Sequence, residues 1–331
     1  MVWDFFTLLG GLVLLTIGGD TVVRGATGLA RALGVSPLVI GLTVVAFGTS
    51  APELAVNVIA AWKGEGEITF GNIIGSNMAN IGLIVGCTAL IKPIVITGVV
   101  IGRELPMMLL ATAAVLAMGF DSALSSGGDL APFDDYYTRS DGILLLMFFL
   151  VFLYYTVGDF VRQRDGGETS EELEALESDD TIVVAGAFMV GGLAALMLGA
   201  SWTVNGAVAV ATAFGVPNVI IAISVVAIGT SLPELVASIS ASVKGHPELA
   251  IGNVVGSNIF NVLMVLGITC IVRPVEVPDG GYTDLIAMAC FSLFLFVVSM
   301  SNNRRIIRGE AAVLLLAYFS YVGWRAATAI G

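Results

Sequence analysis

Gly48-Thr49-Ser50-Ala51-Pro52-Glu53 sets one carboxylate in the middle of a long apolar segment, and Gly229-Thr230-Ser231-Leu232-Pro233-Glu234 repeats the arrangement 181 residues later. An ionisable group at bilayer depth costs ~3 kcal/mol even on the lenient insertion scale, so intramembrane acids read as functional by default. Meeting that cost twice, in the same local wording, points to a cation. The prolines add a second instruction. Pro52 has no N–H and its ring clashes with the carbonyl of Gly48; Pro233 stands in the same relation to Gly229. A helix broken there frees carbonyls around residues 46–48 and 227–229, and such backbone survives at membrane depth only where it lines a cavity or holds an ion.

The surrounding chain has the composition of a membrane protein. Of its 331 residues, 57% are hydrophobic and 12% charged, about half the charged share of an average soluble chain. Mean hydropathy is +0.95. Hydropathy and turn signals predict an all-α polytopic membrane protein with about ten spans, near 5–29, 37–62, 68–91, 103–119, 141–160, 181–210, 217–243, 249–272, 283–300 and 309–328. The first apolar run lacks a basic leader and a small-residue cleavage site, and reads as a retained helix. Net charge is −12, which argues against nucleic acid and favours cations. Cys87, Cys270 and Cys290 lack CxxC spacing and read as buried free thiols. No nucleotide loop, His cluster or soluble catalytic domain is legible, so neither an enzyme nor ATP dependence is expected.

The chain divides into residues 1–161, an acidic linker over 162–180, and residues 181–331. Shifting by 181 aligns residues 34–93 with 215–274 without a gap, and 25 of 60 positions are identical. Lys63/Lys244, Asn72/Asn253, Ser76/Ser257 and Asn80/Asn261 stay in register. Five spans per copy send the second copy through the membrane upside down, which predicts two inverted five-helix repeats with a site between them. Loops on one side hold Arg31, Lys92, Arg103, Arg162, Arg164, Lys244, Arg304, Arg305 and Arg308; the other side holds Lys63, Arg139, Arg273 and Arg325. The positive-inside rule then places both termini outside and the acidic linker in the cytoplasm.

The chemistry follows from residue types. Thr49 and Glu53 are four apart, as are Thr230 and Glu234, so hydroxyl and carboxylate share a helix face. Gly71-Asn72-Ile73-Ile74-Gly75-Ser76-Asn77-Met78-Ala79-Asn80 and its copy from Gly252 to Asn261 carry Ser76/Asn80 and Ser257/Asn261 as polar i, i+4 stripes. Carboxylates, hydroxyls, amides and carbonyls form an all-oxygen set that suits Ca²⁺ and Na⁺. Two glutamates carry −2, which one Ca²⁺ or two Na⁺ would neutralise. A pocket that holds either load, and crosses reluctantly when empty and charged, behaves as an exchanger.

The duplicated GTS-x-PE followed by GN-x-x-GSN-x-x-N resembles the alpha repeats of the calcium/cation antiporter superfamily, closest to prokaryotic sodium/calcium exchangers. The resemblance implies a sodium/calcium antiporter of the prokaryotic plasma membrane, functional as a monomer, that takes Ca²⁺ and Na⁺ as substrates and needs no cofactor. It implies Ca²⁺ binding by Glu53, Glu234, Thr49 and Thr230. The same residues, with Ser50, Ser231, Ser76, Ser257, Asn80, Asn261 and the carbonyls of Ala46 and Ala227, would hold Na⁺. Many members carry Asp where this chain has Asn261, and potassium-dependent exchangers use that acid, so a K⁺-dependent activity is disfavoured.

Competing readings stay open. The glutamates also make Ca²⁺/H⁺ exchange possible, although no membrane-embedded His adds support for it, and a passive cation channel is a third reading. The glutamates could be protonated structural groups, and each serine could bond a carbonyl of its own helix. Asn77 and Asn258 read as helix–helix contacts, Met107 and Met108 as packing, and His246 as a surface residue. The roles of Asn57 and Ser238 are open. The 162–180 segment has no EF-hand spacing and reads as a solvated linker. Asp121, Asp129, Asp134 and Asp135 would concentrate cations near the outer mouth.

Overall fold

Apolar runs punctuated by Pro and Gly fold into helices because a bilayer offers backbone amides no water to bond. The structure is a computed structural model and describes residues 2–121, 135–166, 180–214 and 229–330. In chain order the helices are α1 (Val2–Leu33), α2 (Pro37–Thr49), α3 (Ala51–Lys63), α4 (Gly66–Ile91), α5 (Val100–Gly119), α6 (Arg139–Gly166), α7 (Ile182–Ala213), α8 (Leu232–Val243), α9 (Pro247–Val272), α10 (Gly281–Met300) and α11 (Arg308–Ile330).

Eight of these are long and apolar enough to cross a membrane, and α2 with α3 forms a ninth candidate bent by 41°. The ten-span expectation therefore has nine described counterparts. For the seventh span only α8, which is too short to cross alone, is described. The wide faces of α1, α6, α7 and α11 expose large apolar side chains such as Leu12, Leu150, Val183 and Leu316, as lipid-facing surfaces do. By contrast α4 and α9 are almost wholly buried and form the centre.

Two short antiparallel pairings join the halves. Strand β1 (Ile94–Val95) pairs with β4 (Arg305–Ile306), and β2 (Tyr136–Tyr137) pairs with β3 (Val275–Glu276). The longest contact is between α1 and α7, which run antiparallel with glycines every seven residues: Gly11, Gly18 and Gly25 on one, Gly192, Gly199 and Gly206 on the other. A Cβ at Gly18 would lie 2.8 Å from the Leu196 amide nitrogen, and one at Gly199 would lie 2.7 Å from that of Leu15. Only glycine permits so close an approach of two backbones. These six glycines fall outside the 34–93/215–274 match, yet they obey the same 181-residue shift.

A second polar feature was not expected. Glu104, 1% exposed, pairs with Arg103, which also pairs with Asp159, so one charged cluster ties α5 to the end of α6. Of the three free cysteines only Cys270 is buried; Cys87 is half-buried and Cys290 is exposed on the apolar face of α10, which corrects the expectation of three buried thiols.

Candidate functional site

The helix break lies where the prolines require it. Between α2 and α3, Ser50 has φ −85° and ψ 0°, and Pro52 occupies the first turn of α3. Before α8, Ser231 has φ −90° and ψ 6°, with Pro233 in the same place. Two stretches 181 residues apart thus adopt one conformation. Each glutamate sits in the first turn of the new helix, where the N-terminal dipole favours a negative charge. The Ala46 carbonyl still accepts from the Ser50 amide at 3.0 Å and from the Thr49 hydroxyl at 3.4 Å. The bond that Pro52 removes is therefore the one to Gly48, and the Ala46 carbonyl has a donor for each of its two lone pairs. Ala227 lies outside the described residues.

The structure brings the two motifs together. Glu53 and Glu234, each 1% exposed, interact electrostatically, and the hydroxyls of Thr49 and Ser50 stand beside Glu234. Pro52, Thr230 and Pro233 line one cavity of about 270 Å³ together with Ser201 and Asn205 of α7. The stripes approach from the central helices. A π-helical turn begins at Asn80 in α4, and a second, from Phe260 to Val265 in α9, contains Asn261. Such turns aim side chains off the regular helix face and recur at functional sites. Helix α3 packs against the turn holding Asn261, and α8 packs against the turn holding Asn80. Each glutamate helix thus meets the other half's stripe.

Seven buried oxygens of the expected residues have no hydrogen-bond donor: both of Glu53, the hydroxyls of Ser50, Ser231 and Ser257, and the amide oxygens of Asn80 and Asn261; the Glu234 carboxylate is met by the Thr49 and Ser50 hydroxyls. Ser76 is buried as well, whereas Thr230 is half-buried. Native interiors pair nearly all such atoms, and each orphan costs about 1–3 kcal/mol. Carboxylate, hydroxyl and amide oxygens left without donors are the ligand types of a hard cation. Among the described residues no three His, Cys, Asp or Glu side chains converge. From the described residues an ion here would meet two carboxylates and neutral oxygens.

The asparagines differ from expectation. Asn258 does bridge helices, accepting from Asn80 at 3.1 Å and donating to the Met108 sulfur at 3.6 Å. Asn77 instead bonds the Ile73 carbonyl of its own helix at 2.8 Å, and Asn57 bonds that of Glu53 at 2.7 Å. Ser238 accepts from Asn253 at 3.0 Å, a residue whose register with Asn72 was visible but whose partners were not. His246 precedes α9, 3.5 Å from Glu248. Most of the 162–180 linker, with Asp129 and Asp134, lies outside the described residues; Asp180 pairs with Arg24 at 3.0 Å.

Two further cavities reach the site from one side. One of about 390 Å³ is lined by Asn72, Ser76 and Thr230; it shares Gly71, Gly75, Met78 and Val322 with one of about 670 Å³ bordered by Asp279, Asp284 and Arg325.

Comparison with known proteins identifies the family. Residues 3–158 and 184–327 match the sequence profile of the family described as "Sodium/calcium exchanger protein". The sodium/calcium exchanger MaX1 of Methanosarcina acetivorans is 33% identical over 96% of this chain and 97% of that protein. The inner membrane protein YrbG of Escherichia coli is 33% identical over 93% and 92%. A solved structure of the sodium-calcium exchanger NCX_Mj, soaked with zero Na⁺ and Ca²⁺, superposes with a TM-score of 0.82 at 28% identity, covering 98% of this chain and 99% of that one. This integral membrane protein therefore belongs to the sodium/calcium exchanger family.

Proposed function

We propose that the chain is a secondary active antiporter that exchanges Na⁺ for Ca²⁺ by alternating access and exports Ca²⁺ down the sodium gradient. The observation that carries this reading is the pair of buried carboxylates, one from each motif, set among hydroxyl and amide oxygens that no protein donor satisfies. Glu53, Glu234, Thr49 and Thr230 would take Ca²⁺. Ser50, Ser231, Ser76, Ser257, Asn80, Asn261 and the Ala46 and Ala227 carbonyls would complete the Na⁺ positions. The names of the exchanger relatives describe the same pair of ions.

Inverted five-helix repeats are part of the proposal, and the strand pairings support them. β1 and β3 follow equivalent helices of the two halves, as do β2 and β4. Each pairs with the non-equivalent strand of the other half, which is how a two-fold axis in the membrane plane would exchange them. With ten crossings, β1 and β4 emerge on the basic, cytoplasmic side, while β2, β3 and both termini lie outside. The cavities that reach Ser76 and Thr230 then open outward, because Asp279 and Arg325 stand on that side.

Glu53→Gln keeps the shape of the side chain and removes half the site charge. In proteoliposomes it should abolish ⁴⁵Ca²⁺ uptake driven by a sodium gradient, and Glu234→Gln should do the same. Uptake retained by both variants would refute the site. Uptake by the unaltered chain under a pH gradient alone, with sodium absent, would replace Na⁺ by H⁺ as the driving ion, and flux without any counter-ion would make the protein a channel.

A further inference from the structure

Asn80 and Asn261 are the same residue of the repeat, and so are Asn77 and Asn258. The two halves nevertheless engage them differently. The Asn258 amide oxygen accepts from the Asn80 amide nitrogen at 3.1 Å, and the Asn258 nitrogen donates to the Met108 sulfur at 3.6 Å. Its copy, Asn77, turns back and donates to the Ile73 carbonyl of its own helix at 2.8 Å. Asn261 therefore has no such partner, and neither of its amide atoms is engaged among the described residues. All four asparagines and Met108 are at most 2% exposed.

The Met108–Asn258–Asn80 chain has a direction. A thioether carries lone pairs and no proton, so it only accepts. The end of Asn258 that meets Met108 is then its NH₂, and its oxygen faces Asn80. That oxygen also only accepts, so Asn80 meets it with NH₂. The Asn80 oxygen is left on the other arm of the amide, where it is buried with no donor. Turning the Asn80 amide over would set oxygen against oxygen and put N–H groups, which a cation repels, in the place of a ligand oxygen.

We propose that Asn258 and Met108 are positioning residues of the ion site. Through them α5 and α9 hold the Asn80 amide on α4 with its oxygen toward the cation, as partners behind a metal ligand fix its orientation. The second half of the chain thus orients a ligand of the first, while Asn261 has no counterpart of this relay. Neither Asn258 nor Met108 need touch the ion. The inference rests on the proposed role of Asn80 as a Na⁺ ligand.

The test reads the Na⁺ concentration for half-maximal Ca²⁺ exchange in proteoliposomes. Sodium-specific stabilisation against thermal unfolding in detergent, with choline as the reference cation, gives a second measure. Met108→Leu keeps the size and apolar character of the side chain and removes only the acceptor; Asn258→Ala removes both bonds. Each should raise the half-maximal Na⁺ concentration about five-fold, the worth of one buried neutral hydrogen bond. Asn80→Asp separates orientation from packing. A carboxylate presents an oxygen whichever way it turns, so in that background Met108→Leu should leave the Na⁺ dependence unchanged or lower it. A packing defect would act equally in both backgrounds. Unchanged Na⁺ dependence in both Met108→Leu and Asn258→Ala, or the same rise in the Asn80→Asp background, would overturn the proposal. Stabilisation by Na⁺ needs no gradient, so failure of sodium-driven Ca²⁺ uptake by the unaltered chain would sink the functional reading separately.

Discussion

Ser50 and Ser231 stand at the N-caps of α3 and α8, where a hydroxyl ordinarily accepts from a first-turn N–H. Neither does so, and both hydroxyl oxygens are buried with no donor. A capping serine changed to Ala costs about 1 kcal/mol of stability, but these serines supply none of that. Ser50→Ala and Ser231→Ala should therefore keep the melting temperature near that of the unaltered chain and raise the Na⁺ concentration for half-maximal exchange about five-fold. That factor is what one neutral ligand is worth. A lowered melting temperature with unchanged sodium dependence would make the serines structural. Asn261 decides the charge of the site. Two unit charges 4 Å apart at a protein-like dielectric of ~20 attract by about 4 kcal/mol before the cost of desolvation. Asn261→Asp should accordingly lower the Ca²⁺ concentration for half-maximal uptake by about ten-fold, and no change would place the residue outside the ion's reach. These positions were legible in the sequence because the motif occurs twice, and chance does not repeat hydroxyls and carboxylates in register. Asn253 was not legible in the same way. Its partner Thr49 lies 204 residues away, and no spacing encodes such a contact.

At the scale of elements, proline and glycine carry the instructions. Pro52 and Pro233 stand at the same point of α3 and α8, each after a serine in the same conformation, and the sequence announced the break through the missing N–H. The α1–α7 contact was written in the sequence too, as glycines seven apart, but a lone helix with such a stripe does not say which helix it meets. Only the antiparallel packing of the two backbones identifies the partner. That contact makes a sharp prediction. At Gly18 a methyl group would press on backbone within 2.8 Å, whereas at Gly10 it would meet the Trp202 ring at 3.6 Å, an ordinary contact. Gly18→Ala should destabilise the protein by about 1–3 kcal/mol, the usual cost of overpacking, and Gly10→Ala should change little. Thermal unfolding in detergent monitors both. Equal stability of the two variants would show that α1 and α7 can separate at no cost. The π-helical turns that aim Asn80 and Asn261 left no mark in the sequence pattern, because one extra residue in a turn shifts the apolar period too little to detect.

Across the whole molecule, alternating access depends on which membrane face each end of the site meets. A carrier with one ion site needs a closed seam and an open seam on opposite sides in turn, and two inverted copies would supply both from a single design. The packed seam joins the start of α2 to the start of α9, where Gly41 and Gly252 touch. The cavity bordered by Asp279 and Arg325 runs along α4 at Gly71 and Gly75. If ten segments cross, the starts of α2 and α9 share the side of β1 and β4, and the start of α4 shares the side of β2 and β3. The excess of Lys and Arg puts the first side in the cytoplasm. Single cysteines at Tyr136 in β2 and at Arg305 in β4, in a chain whose Cys87, Cys270 and Cys290 are replaced by Ala, examine this directly, since both side chains are exposed. In intact cells an impermeant maleimide should label Tyr136→Cys and spare Arg305→Cys until the membrane is permeabilised. The reverse pattern would turn the molecule over and make its open cavity face the cytoplasm. Labelling of both in intact cells would mean that the two strand pairs share one face. In that case the halves would not be inverted copies, and a single pocket could not be offered to the two sides in turn.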